Sequence, residues 1–140
     1  MMRKTKLSVI GLALLVLLFA FAACGGGEDK GEAVGAVKVT LEYPEGDNVT
    51  GEAAIYEGDS YLDCTQTFCR DQNIPIVVEG TSYVTVNSIN NIASGDYGDT
   101  YGWIYLVNGE MIMESASEIS AVDGAEVTWR YADMNNMSVE

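Results

Sequence analysis

Residues able to do chemistry are sparse in this chain, and an absence comes first: its 140 residues include no histidine. That removes the commonest general base and the usual zinc or haem ligand. Cys64 and Cys69 are the next candidates, five residues apart in a segment patterned as a helix. In an unbroken helix such residues stand about 140° apart round the axis and ~7.5 Å apart along it, which puts their Cα atoms roughly 8.6 Å apart. A disulfide needs less than about 7 Å. The pair can therefore be bridged only if the helix breaks or begins later. Two buried thiols and a reactive or metal-holding pair are the other readings. The 21 acidic residues are scattered over loops, and no two stand out as the acid and nucleophile of a glycoside hydrolase. Asp96 and Asp99 lack the alternating oxygen donors of a calcium loop. No nucleophile elbow, phosphate loop or dinucleotide fingerprint occurs. Neither a catalytic residue nor a metal set is assigned, and the chain reads as a binding module, not an enzyme. The chemistry left is that of aromatic contact. Tyr97 and Tyr101 stand in a Gly- and Asp-rich stretch, Trp103 and Tyr105 on the strand that follows, and Asn108 at its end.

Those five residues must be positioned by the strand Gly102-Trp103-Ile104-Tyr105-Leu106-Val107, whose side chains alternate between two faces. Asn108-Gly109 can take the two positive φ angles of a type I′ turn and return the chain through Met111-Ile112-Met113. Trp103, with Trp129 of a last strand Val127–Tyr131, serves either as core or as contact surface, and for Asn108 the turn alone accounts for the residue. Upstream, Ala36 to Tyr43 alternates as a first strand, and Ala53 to Glu57 is expected to return after a turn-rich loop. Ser60-Tyr61-Leu62-Asp63 has the capping-box form and opens a helix to about Gln72, with Tyr61, Leu62, Thr65, Phe68 and Cys69 as its buried stripe. Asn73 and Pro75 stop it. Short strands are expected at Ile76–Val78 and Tyr83–Val86, and a polar loop from Ser88 to Tyr101. Two strands, one helix and further strands make an α+β plan.

The domain plan runs 1–23, 24–35, 36–133 and 134–140. Arg3, Lys4 and Lys6 precede an apolar run from Leu7 to Ala22, too short for a typical spanning helix and ended by small residues. The junction Phe21-Ala22-Ala23-Cys24 resembles a bacterial lipobox, which makes Cys24 the lipidated first residue of the mature protein. A plain signal peptide or an uncleaved anchor is the other reading. The segment 24–35 is a Gly-rich, charged tether, and 134–140 is expected to fray. After Cys24 there are four basic residues against 21 acidic ones, a net charge of −17. Such a surface repels phosphate backbones, so nucleic acid is excluded as a partner. The expected location is the outer side of the cell membrane, held there by lipid.

The order of features is similar to that of a known family. The helix opening Asp-Ser-Tyr-Leu-Asp, the segment Asn-Ile-Pro-Ile, the block Gly-Trp-Ile-Tyr-Leu-Val-Asn-Gly-Glu and the closing Val-Asp-Gly-Ala-Glu-Val-Thr-Trp-Arg-Tyr together resemble the transcobalamin-like C-terminal domain of bacterial surface lipoproteins. The resemblance runs from about Val37 to Tyr131. It implies a small β-grasp-like mixed sheet with one packed helix, and cobalamin or a related corrinoid as ligand, captured for a transporter. In the vitamin carriers a large helical domain closes over the ligand as well, and that partner is absent from this sequence. On this reading Tyr97, Tyr101, Trp103, Tyr105 and Asn108 are the candidate ligand contacts. The alternative is a surface interaction or adhesion module that holds another protein and takes no small molecule.

Overall fold

The structure is a computed structural model describing residues 31–137. Strand β1 (Gly35–Glu42) alternates as its sequence requires, with Val37, Val39 and Leu41 fully buried and Lys38, Thr40 and Glu42 on the opposite face. It pairs antiparallel with β2 (Val49–Ile55) on one side. On the other it runs parallel to the last strand, β8 (Glu126–Asp133), setting Val39 against Val127 and Leu41 against Trp129. Strand β6 (Tyr101–Val107) then adds antiparallel to β8, and the two-residue β7 (Glu110–Met111) closes the order β2-β1-β8-β6-β7. Termini paired parallel at the centre, with antiparallel hairpins outside, make the mixed β-grasp-like sheet expected of the sequence.

Helix α1 (Tyr61–Asp71) crosses the buried face. The Ser60 hydroxyl accepts from the Asp63 N–H at 3.2 Å, and the Asp63 carboxylate accepts from the Ser60 N–H at 2.8 Å, so the capping box is complete. Two further orphan donors of the first turn, Tyr61 N–H and Leu62 N–H, reach the carbonyls of Ile119 and Ala116. Trp129 Nε1 donates to the Thr65 hydroxyl at 2.8 Å, which itself donates to the Tyr61 carbonyl, tying helix to sheet through buried groups. The ring of Phe68 lies where a Cβ on Gly51 would stand, 2.8 Å away, so only glycine lets β2 approach the helix there. The helix runs unbroken through Cys64 and Cys69, which are both buried and are not bridged to each other. The bridged reading is excluded by the same helical geometry that made it conditional.

A second sheet, β3 (Ile76–Glu79), β4 (Thr85–Ile89) and β5 (Ile92–Ala93), follows the helix. Asn73, at φ 56°, ends the helix as expected. The polar loop anticipated from Ser88 to Tyr101 begins later: Ser88 and Ile89 belong to β4, and Asn90-Asn91, at φ 54° and 64°, form a tight turn into β5. Asparagine adopts left-handed geometry more readily than other non-glycine residues, so Asn-Asn could do what Asn-Gly does elsewhere. Likewise β2 begins at Val49, inside the segment expected to be loop, and ends at Ile55. Among the described residues no helix is long and apolar enough to cross a membrane. Cys24 lies outside them.

Candidate functional site

The site is built on β6. Its odd residues face the helix side: Trp103 and Tyr105 are buried, opposite Tyr131 and Trp129 of β8. The Trp103 ring meets Tyr43 and Tyr131 edge-on, with centroids 6.0 and 5.3 Å away, and its Nε1 donates to the Ile92 carbonyl at 2.8 Å. Tyr105 stacks on Trp129 at 5.1 Å, and its hydroxyl donates to the Glu114 carbonyl at 2.5 Å. Both polar tips are satisfied, which is what lets such rings sit in a core.

The backbone of β6 is less completely paired. Asn108 N–H donates to the Glu126 carbonyl, so the even-numbered groups of β6 face β8 and the odd-numbered ones face outward, as an antiparallel ladder requires. Strand β7 covers only Leu106 and Val107. Beyond it, the Tyr105 carbonyl accepts from Ile112 N–H at 3.2 Å and the Tyr101 carbonyl from Gly95 N–H at 2.9 Å. Between these two, Trp103 N–H, Trp103 C=O and Tyr105 N–H have no backbone or side-chain partner among the described residues. They form a short outward-facing array of donor, acceptor, donor.

Beside this edge lies a cavity of about 270 Å³. Val84 and Val86 of the β4 side form one wall, β6 another, and the segment Met111–Ala116 a third. Ser115, buried, donates to the Val84 carbonyl at 2.6 Å and pins that third wall to β4. Tyr83 hydroxyl donates to the Met113 carbonyl at 2.7 Å, joining the same two walls nearer solvent. Met134 and Met137 complete the lining from beyond β8.

Of the five residues singled out in the sequence, Trp103 and Tyr105 line this groove and the other three do not. Tyr97 and Tyr101 gather round Tyr131, with ring centroids 5.4 and 6.0 Å from it, and Tyr97 N–H donates to the Tyr131 hydroxyl at 3.3 Å. Tyr97 is 45% exposed, so this aromatic cluster is a second, more open surface. Asn108, at φ 51°, occupies the turn before Gly109 at φ 83°, and its Oδ1 accepts from Glu126 N–H at 3.0 Å. Its side chain is spent on tying that turn to the start of β8. Met111, Met113, Met134 and Met137 carry no sequence signal of a site, because they come from two segments that only the fold brings to one groove.

The family described as a domain of unknown function, DUF4430, matches residues 58–133, more than half of the chain. This chain belongs to that family. DUF4430 is the transcobalamin-like C-terminal domain, so the fold resemblance carried by the Trp103 and Trp129 blocks holds. Among solved structures, haptocorrin in complex with Cbi is similar at a TM-score of 0.59 and 18% identity, covering 69% of this chain and 25% of its own. The chain therefore spans a quarter of the haptocorrin it matches. A candidate metal binding protein from Ruminococcus gnavus ATCC 29149 is similar at a TM-score of 0.50 and 17% identity, covering 70% of this chain and 98% of its own. At these identities the likeness is one of fold. No curated protein matches this DUF4430 chain.

Two titratable groups of the domain's interior are held in their neutral form. Burial pushes the Cys69 thiol up to about 11. Burial first, and then the neighbouring Glu114, Tyr83 and Tyr61, push the Tyr105 hydroxyl up to about 12. Both groups stay protonated at neutral pH, which is the reverse of what a nucleophilic thiolate needs. Among the described residues no three His, Cys, Asp or Glu side chains converge on a common point.

Proposed function

We propose that this chain is an extracytoplasmic binding lipoprotein, anchored through Cys24, whose DUF4430 domain holds one edge of a cobalamin or related corrinoid for delivery to a transporter. One observation carries the reading: Trp103 N–H, Trp103 C=O and Tyr105 N–H, unpaired among the described residues, open beside an apolar, aromatic-floored groove. A primary amide presents one acceptor and one donor side by side, the complement of a single strand residue's outward groups. A corrinoid is a partly apolar disc rimmed with amide arms. Binding sites of this kind pair apolar walls with a few fixed polar groups. The cavity of about 270 Å³ suits one amide arm and the ring edge beside it, not a whole corrin. A second surface, in a transporter or another protein, then covers the remainder. The corrinoid bound by haptocorrin, which shares the fold, lends support.

Titrating the purified chain with cobalamin and with cobinamide, and following the corrin absorbance, tests the proposal. A saturable spectral change is expected for both. No spectral or calorimetric response at tens of micromolar ligand overturns it. The same β6 edge is also what an extended peptide would pair with, and this favours, as second reading, a surface module that holds another protein by strand addition.

A further inference from the structure

Strand β2 is an outer strand of the five-stranded sheet, and its free side carries a second unpaired array. Which of its groups are free follows from β1. Lys38 N–H donates to the Ala125 carbonyl, so the even-numbered groups of β1 face β8 and the odd-numbered ones face β2. The pairing of Val37 with Ala53, Val39 with Gly51 and Leu41 with Val49 therefore takes the odd-numbered groups of β2. The N–H and C=O of Thr50, Glu52 and Ala54 point away from the sheet and have no partner among the described residues. Native sheets blunt such edges with short strands, bulges, proline or lysine. Other outer strands of this fold follow that rule: β5 and β7 have two residues each, and β3 carries a bulge between Val77 and Val78. Strand β2 does not. Its seven residues keep an unbroken register with β1, and none is proline or lysine.

Charge selects the occupant. Between Lys38 and Arg70 the chain has seven acidic residues and no basic one. Asp47, Glu52 and Glu57 stand exposed before, within and just past β2, and none forms an ion pair among the described residues. Lys38, directly across from Glu52 on β1, reaches Glu126 instead, at 3.8 Å. A second copy of the chain would bring the same carboxylates to the same edge and be repelled. An antiparallel peptide with Lys or Arg opposite Glu52 meets both needs. Its N–H and C=O fill the open ladder, and its cationic side chain lies beside the carboxylate on the same face of the sheet. We propose that the β2 edge takes up a basic, extended segment of a partner protein as a sixth, antiparallel strand. The inference rests on β2 and not on the groove beside β6, so it stands apart from the corrinoid reading.

The test titrates the purified full chain with a capped peptide, Thr-Val-Lys-Val-Lys-Val-Thr, while amide NMR follows β2. Saturable shifts of the Thr50, Glu52 and Ala54 amides are expected, with slower exchange of their N–H groups. N-methylation at the two Lys residues of the peptide, whose N–H groups face β2 when their side chains flank Glu52, should weaken binding by roughly 10-fold or more. N-methylation at the Val residues, whose N–H groups face away, should leave it. These controls do not alter the protein. Glu52→Lys should weaken the peptide by roughly 5-fold or more, and an unchanged thermal midpoint reports an intact fold. No shift at millimolar peptide overturns the proposal. So do shifts centred on Trp103 and Tyr105, binding indifferent to N-methylation at Lys, affinity unchanged in Glu52→Lys, or self-association of the chain through β2. Corrinoid absorbance, read separately, fails or succeeds independently of these outcomes.

Discussion

Cys69 shows how placement decides chemistry at the scale of one residue. It lies on the buried stripe of α1, and burial lifts its thiol from an ordinary value near 9.0 to about 11. A group whose folded value is raised holds its proton longer when folded than when unfolded. Between those two values the native state binds more protons, so stability falls as pH rises. The contribution is complete below about pH 9 and gone above about 11. Tyr105, raised from 10.0 to about 12, extends the same loss to higher pH. Thermal midpoints measured from pH 7 to 11 should decline from about pH 9 upward, and Cys69→Ala should flatten the first part of that decline. An identical slope in the variant would show that the thiol is not the titrating group. Spacing alone said that Cys64 and Cys69 could not be bridged in an intact helix. Whether the helix stayed intact depended on its packing against β1 and β2.

At the scale of elements, β6 is unusual in having well-buried side chains and an incompletely paired backbone. Its alternation and its Asn108-Gly109 turn were legible because both are local: a period of two and two positive φ angles. The shortness of β7 was not, since the chain leaves the ladder after Met111 to reach α1 through Ala116 and Ile119. Amide hydrogen exchange can read this directly. The N–H groups of Gly102, Ile104 and Leu106, which face β8, should be strongly protected. Those of Trp103 and Tyr105 should exchange faster despite their buried rings. Uniform protection along β6 would mean that the edge is covered and that the amide-pairing site does not exist. The β4–β5 hairpin teaches the same lesson in reverse. Its Asn90-Asn91 turn was a local signal, hidden in a stretch whose polarity and glycines read as loop.

For the whole molecule, the acidic balance is the dominant long-range term. Lys38 and Arg130 on the open face of the sheet are paired with Glu126 and Glu42, at 3.8 and 2.5 Å. Exposed pairs of this kind contribute little, while the net charge of −14 repels itself throughout the fold. Raising NaCl from low to physiological strength screens that repulsion over about 8–10 Å. The thermal midpoint should therefore rise by a few degrees. A midpoint that falls with salt would put the weight on the ion pairs.

The sequence by itself determined the α+β class, the capped helix with its buried stripe, the Asn108-Gly109 hairpin and the membership signalled by the Trp103 and Trp129 blocks. Each is written in side-chain period, cap chemistry or a short motif, all properties of neighbours along the chain. Tertiary structure alone decided where the groove lies. It arises because β8 inserts between β1 and β6, because β7 stops after two residues, and because Met134 settles over Gly102 while the segment from Met111 to Ala116 lines the other side. Those contacts join residues far apart in sequence, and no local periodicity records them. For the same reason the five expected ligand residues divided: Trp103 and Tyr105 to the groove, Tyr97 and Tyr101 to the ring of Tyr131, and Asn108 to its turn.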